Sequence, residues 1–159
     1  MKKIFLFIIT LLLLTGCTSN SIKQEEKMKD YYLTYNNYEI KVGNDFKPLL
    51  ALVGPYNNVR EEASTYQDTM ANFYEYDDFE IETYFENGIE KIYSITITNE
   101  KIVTNEGIHL NSSYQELIIS YGINYSNPYE GIYNYKLNNS NISFIVDNDI
   151  IVSIRYYLE

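Results

Sequence analysis

The sequence has no tryptophan, a single cysteine, a single histidine and few cations. One cysteine (Cys17) allows no intramolecular disulfide. One histidine and no second thiol leave no usual zinc site. Any Ser-His-Asp or Cys-His arrangement would have to use His109. No glycine-rich loop is present to cradle a phosphate. Lys and Arg number 12 against 22 Asp and Glu, a net charge of −10, which argues against a nucleic-acid partner. The longest apolar run, Ile4–Leu14, has eleven residues and is too short to span a bilayer comfortably.

What is present begins with an address. Lys2 and Lys3 precede that apolar run, and Leu14-Thr15-Gly16-Cys17 follows it. The three parts together resemble the signal peptide and lipobox of bacterial lipoproteins. The resemblance implies removal of residues 1–16 and lipidation of Cys17, which would also dispose of a free thiol in an oxidising compartment. The remaining chain would carry 10 basic and 22 acidic residues, a balance of −12. That suits solubility and mutual repulsion on a crowded envelope, and not a second, electrostatic membrane contact. Residues 18–30 are polar and lack aromatics, and read as a flexible tether with a reach of about 20 Å. A short helix over Lys23–Lys29 is the competing reading.

From residue 31 to 159 the pattern is that of one globular domain, rich in tyrosine (18 residues). Tyr31–Val42 reads as two short strands around Asn36-Asn37. Gly43-Asn44-Asp45 opens a helix whose apolar face is Phe46, Leu49, Leu50 and Val53, ended by Gly54-Pro55. Pro55–Asn72 is the least patterned stretch and reads as a surface loop, with a partial helix around Arg60–Ala63 as an option. A strand at Phe73–Tyr76 precedes a long hairpin, Phe79–Phe85 and Ile89–Thr98, turning at Asn87-Gly88. Its apolar positions alternate with polar ones, so the sheet is expected to be covered on one side only.

The chain resembles itself. At a spacing of 68, Ile40, Val42, Phe46, Leu49, Leu50, Val53 and Gly54 fall on Ile108, Leu110, Tyr114, Leu117, Ile118, Tyr121 and Gly122. Ser113 and Glu116 add a capping box to the second helix. At a spacing of 59, Tyr74, Tyr76, Phe85, Ile92, Ser94 and Ile95 fall on Tyr133, Tyr135, Phe144, Ile151, Ser153 and Ile154. The difference of nine equals the excess of Pro55–Asn72 over Ile123–Gly131, so one loop is expected to carry the whole length difference. The fold expected is α+β. Two repeats (about 31–99 and 100–159), each a strand, a helix and three antiparallel strands, form one antiparallel sheet of seven or eight strands with two short helices on one face.

Glu62-Ala63-Ser64, Phe79–Tyr84, Ile92–Ile95, Thr104–Ile108 and Tyr121-Gly122 resemble a group of uncharacterised Gram-positive bacterial lipoproteins. Their tandem layout is similar to the β-lactamase-inhibitor-protein-like (SmpA/OmlA-like) fold. The resemblance implies a fold and no activity. That group usually has cysteine after Ala-Ser, where this chain has Thr65.

No motif assembles a reaction. His109 should face outward between Ile108 and Leu110. Ser112 and Ser113 read as capping residues. Glu80 and Glu82 lie on one strand face about 7 Å apart, a spacing a carboxylate-dependent glycan hydrolase would tolerate, though it reads better as a solvated strand face. Asp147-Asn148-Asp149 lacks the glycine and distal glutamate of an EF-hand. No catalytic residue, metal ligand or cofactor is expected beyond the lipid on Cys17. The reading is a non-enzymatic envelope protein held on the outer side of the cell membrane by that lipid. It would bind a protein or cell-wall partner through the sheet's open face (Tyr84, Thr96, Tyr135, Arg155, Tyr157) or the 55–72 loop. Its alternative is a structural subunit of an envelope complex.

Overall fold

The computed structural model describes residues 30–64 and 69–159. Cys17, residues 18–29 of the expected tether and Thr65 lie outside the described residues. The described elements are β1 (Leu33–Tyr35), β2 (Tyr38–Ile40), α1 (Phe46–Val53), β3 (Asn58–Ala63), β4 (Met70–Glu75), β5 (Phe79–Glu86), β6 (Ile89–Ile97), α2 (Tyr114–Tyr121), β7 (Ile132–Leu137), β8 (Ser140–Asp147) and β9 (Ile150–Leu158). Seven strands make one antiparallel sheet in the order β3-β4-β5-β6-β9-β8-β7, and β1 and β2 pair separately. The fold is α+β.

The large sheet is organised by one apolar row. Tyr74 stands opposite Ile81, Ile81 opposite Ile95, Ile95 opposite Tyr156, Tyr156 opposite Ile142 and Ile142 opposite Tyr135. Directly opposed residues share a face, so these six side chains form a stripe across the sheet. All are buried in one core. Both helices lie on this side. Phe46 of α1 meets Tyr74 with ring centres 4.2 Å apart, and Tyr121 of α2 meets Tyr135 at 5.1 Å and Phe144 at 4.9 Å. The β1–β2 hairpin, turning through left-handed Asn36 and Asn37, also packs here, with Tyr35 edge-on to Phe79 at 4.9 Å.

The two helices are held to the sheet in the same way. Ahead of α1, the Gly43 N–H donates to the Ile92 carbonyl (2.7 Å) and the Ile92 N–H to the Asn44 carbonyl (2.9 Å). Ahead of α2, the Asn111 N–H donates to Ile151 (2.9 Å) and the Ile151 N–H to Ser112 (2.8 Å). Each helix is eight residues long, too short to persist alone. Gly54 and Gly122 end them at φ of 87° and 81°, a region costly for any residue with a Cβ. The capping box at Ser113 and Glu116 forms, while Asp45 caps α1 without a side-chain bond.

Several expectations need correction. Pro55–Asn72 is not simply a loop, and Arg60–Ala63 is not helical, because β3 runs through it and pairs with β4 from Asn58 opposite Glu75 to Ala63 opposite Met70. As an outer strand, β3 has little buried face, so it carries no period-2 pattern to read. The strand expected directly before α2 does not form. Thr104–Ile108 is a turn closed by the Thr104 N–H on the Ile108 carbonyl, although Ile108 still points into the core. Phe85 does not correspond to Phe144: Phe85 is 60 % exposed and Phe144 fully buried. The position that stands to Ile95 as Phe144 stands to Ile154 is Ile81. Between Ile81 and Ile95 the β5–β6 hairpin is four residues longer than its counterpart between Phe144 and Ile154. Between Tyr135 and Ile142 the β7–β8 hairpin is four longer than the turn between Tyr76 and Phe79. The two differences cancel in the sequence count, so the net difference of nine still falls between Gly54 and Tyr74, but the hairpins beyond it also differ in length.

The buried tyrosines predict an alkaline limit. Burial pushes the hydroxyls of Tyr31 and Tyr76 up to about 12, and those of Tyr74, Tyr121, Tyr135 and Tyr156 higher still. In the unfolded chain they titrate near 10. A raised folded value means the neutral hydroxyl contributes its full stability below pH 10 and loses it as pH climbs toward and beyond 12. Cooperative unfolding, followed by circular dichroism, should therefore set in above pH 10, with the absorbance of the buried tyrosinates appearing in step with it and only exposed tyrosines such as Tyr129 ionising before it. Ionisation of the full set of tyrosines near pH 10 with the fold retained would contradict this.

Candidate functional site

The candidate site lies on the side of the sheet away from the helices. Its residues come from the positions that alternate with the core row. Across the middle, Phe73 stands opposite Glu82, Glu82 opposite Ser94, Ser94 opposite Tyr157 and Tyr157 opposite Asn141. One step along, Glu80 stands opposite Thr96, Thr96 opposite Arg155, Arg155 opposite Ser143 and Ser143 opposite Asn134.

The half of this face formed by β3–β6 is closed. Glu82 is only 1 % exposed and accepts hydrogen bonds from Arg155 Nη2 (2.7 Å) and from the hydroxyls of Ser94 and Ser64 (3.2 Å each). The same Arg155 nitrogen donates to Ser94 Oγ at 3.0 Å. A carboxylate can be buried this deeply only because a cation and hydroxyls replace its water. Arg60, reaching from β3, pairs with Glu80 and with Glu75 (2.7 Å), and its guanidinium lies 4.7 Å above the Phe73 ring. Glu80 and Glu82 are therefore not a solvated strand face. Each is committed to an arginine, and the pair is not poised as a hydrolytic acid and base.

The half formed by β7–β9 is open. A basin of about 300 Å³ is lined by Tyr93, Tyr129, Asn134, Ser143, Arg155 and Tyr157 among others. A second, of about 400 Å³, adjoins it and shares Asn134 and Tyr157, adding Asn124, Asn141 and Lys136. Tyr129 is 74 % exposed. The two cations on the walls are already matched, Arg155 by Glu82 and Lys136 by Glu159.

Of the residues expected on this face, Thr96, Arg155 and Tyr157 are there, half-buried. Tyr84 is on it but buried, its ring 6.5 Å from that of Tyr93. Tyr135 is not on it. It belongs to the core row, and its hydroxyl donates to the Gly122 carbonyl at 2.9 Å. Its alternation was misread because Tyr133 and Tyr135 both point inward with Ile142 and Phe144 across from them. Tyr93 was missed for a related reason. A bulge beside Glu82 and Thr83 sets Thr83 opposite Ile92, which turns Tyr93 to the open side and Ile92 to the core. Tyr129 and Asn134 carry no signal in the sequence that separates them from ordinary loop and strand residues.

Elsewhere, His109 is half-buried, with its ring Nδ1 2.6 Å from the Leu110 carbonyl oxygen. A larger cavity of about 730 Å³ lies on the helix side, between Pro48 and the tip of the β5–β6 hairpin at Phe85 and Ile89. Its one buried-side carboxylate, Glu90, accepts from Asn72, Tyr74 and Thr83 at 3.1, 2.9 and 2.7 Å. Among the described residues no three His, Cys, Asp or Glu side chains gather to hold a metal, and no helix is long and apolar enough to cross a membrane.

These features define a class: a seven-stranded antiparallel sheet with two helices and a separate β1–β2 hairpin, contrary to the single sheet expected, on one side and a polar, aromatic groove on the other. No family model matches the chain, and no curated protein is significantly similar to it. Among solved structures it is similar to an extracellular protein containing an SCP domain from Bacillus anthracis, at 14 % identity and a TM-score of 0.56, over 74 % of this chain and 44 % of that one. A DUF4309 family protein, YjgB of Bacillus subtilis, aligns at 10 % identity and a TM-score of 0.43, over 76 % and 82 % of the two chains. The chain thus spans less than half of the Bacillus anthracis protein, and at this identity the likeness is one of fold.

Proposed function

We propose that this is a non-enzymatic, extracytoplasmic lipoprotein, anchored through lipid on Cys17, that binds an envelope partner with the open face of its sheet. The carrying observation is the groove on β7–β9: aromatic and amide side chains line it, and its charges are satisfied internally. The lipobox at Leu14–Cys17 supports the address. The matching attachments of the two helices, and the matching rows on β4–β6 and β7–β9, support descent of the fold from two copies of one unit. In this reading the Gram-positive lipoproteins resembled in sequence share that duplicated plan.

The test is photo-crosslinking from single positions of the full chain in its own membrane. A photoreactive residue at Tyr157, on the open face, should give one recurrent adduct that excess unlabelled protein competes away. The same group at Ile119, exposed on α2 at the opposite side, should not. Equal labelling from both sites, or labelling from Ile119 alone, would refute the reading.

A further inference from the structure

We propose that the groove on β7–β9 is a carbohydrate site, taking a neutral, hydroxyl-rich oligosaccharide whose ring faces lie on Tyr129 and Tyr157 and whose hydroxyls bond to Asn134. This deepens the partner-binding reading above and rests on it.

The first argument is why the groove exists. On the other half of the sheet, β3 continues along β4 and sets Arg60 over Phe73, Glu75 and Glu80. Beyond β7 the chain makes one bridge, Ser126 to Asn134, and then reaches Pro128. Proline has no N–H to continue a ladder. No strand follows there among the described residues, so Asn134 and Ser143 are left uncovered by any counterpart of Arg60.

The second argument is an incomplete hydrogen bond. Asn134 Oδ1 is buried from solvent yet has no hydrogen-bond partner among the described residues. It sits where the two basins meet. Such an acceptor is costly to leave unmade, and a turn of this half-buried side chain into the basins it lines lets a ligand hydroxyl supply the donor it lacks.

The third argument is charge. The chain is strongly acidic, but the groove's cations are each held by a carboxylate of their own. Neither an anionic polymer nor a cationic segment finds an uncompensated charge there. Asparagine amides and serine hydroxyls both donate and accept, as sugar hydroxyls do, while tyrosine rings offer apolar faces for the C–H sides of a pyranose. An extended peptide fits less well. It would pair with the outer edge of β7, and at Asn134 both backbone groups of that edge are taken by Ser126, at 2.9 Å each.

The experiment uses the full chain in detergent micelles and a panel of neutral tetrasaccharides of N-acetylglucosamine, glucose and galactose. A uronic-acid oligomer of the same length serves as the charged control. At least one neutral member should give saturable NMR shifts in the Asn134 side-chain amide and the β7–β9 backbone. Tyr129→Ala, at a largely exposed side chain, should weaken that binding about tenfold with the fold intact by circular dichroism, the size of one lost aromatic contact. Asn134→Ala should do the same with the fold intact by circular dichroism. Silence across the neutral panel, stronger binding of the charged oligomer, or shifts indifferent to Tyr129→Ala would each overturn the proposal. If sugars fail while Tyr157 still crosslinks to a single protein, the carbohydrate inference falls and the partner-binding reading stands. If both fail, both fall.

Discussion

Arg155→Met is expected to lower the unfolding free energy by about 3 kcal/mol, enough to drop the melting temperature by about 10 °C. The cause is what the substitution leaves behind. Glu82 is almost wholly buried and takes its shortest described bond, 2.7 Å, from Arg155. Without the guanidinium, Ser64 and Ser94 hydroxyls remain as donors, and among the described residues no other cation is paired with Glu82. The figure sits at the low end for breaking a buried pair because the arginine side chain itself is 31 % exposed. The double change Glu82→Gln with Arg155→Met should recover most of the loss, since an amide in place of the carboxylate removes the stranded charge. Urea unfolding of the four proteins in the cycle measures this directly. A single Arg155→Met variant as stable as the parent would mean that the pair contributes nothing. The open face would then be a poorer structural element than its geometry indicates.

Phe144→Ala should cost more, about 3–5 kcal/mol. Phe144 is fully buried and meets the rings of Tyr121 and Tyr135 at 4.9 and 6.0 Å. Its removal opens a cavity between α2 and the sheet that neither the short helix nor β8 can collapse to fill. Phe85→Ala, at the residue that spacing alone pairs with Phe144, should stay within about 0.5 kcal/mol, because that ring is mostly in solvent. Comparable losses in the two variants would contradict the register described for the β5–β6 hairpin.

That contrast shows what the residues disclose and what they conceal. The helices were legible because each has an apolar face, a glycine after its last turn and, for α2, a capping box. The β5–β6 hairpin was legible through Asn87-Gly88 and the alternation of Phe79, Ile81 and Thr83 with Glu80, Glu82 and Tyr84. β3 was not, since an outer strand exposed on both faces has no reason to alternate. Phe85 was misaligned because two hairpins differ in length by equal and opposite amounts, and a count along the chain sees only their sum. The buried state of Glu82 was illegible for another reason. Glu80-Ile81-Glu82 reads as a wet strand until Arg155, 73 residues away, is known to lie across from it. A bulge puts Tyr93 on the open side and the pairing with Ile142 puts Tyr135 in the core, which shows how little a run of tyrosines says about direction. Tyrosine is as much at home inside as out.

The arrangement of strand ends gives the molecule an electrical orientation. Asp77-Asp78 and Asn148-Asp149, next to Asp147, turn at one end of the sheet, whereas Asn87-Gly88 and Asn138-Asn139 turn at the other. Tyr31 enters at that second end, its N–H on Ser140 Oγ at 2.6 Å. Four aspartates thus crowd the pole opposite the chain's entry point. On the proposed lipid anchor, an anionic bilayer would repel the acidic pole whenever it swung within a Debye length, so the molecule would stand with its strands upright and its grooved flank presented sideways to whatever passes.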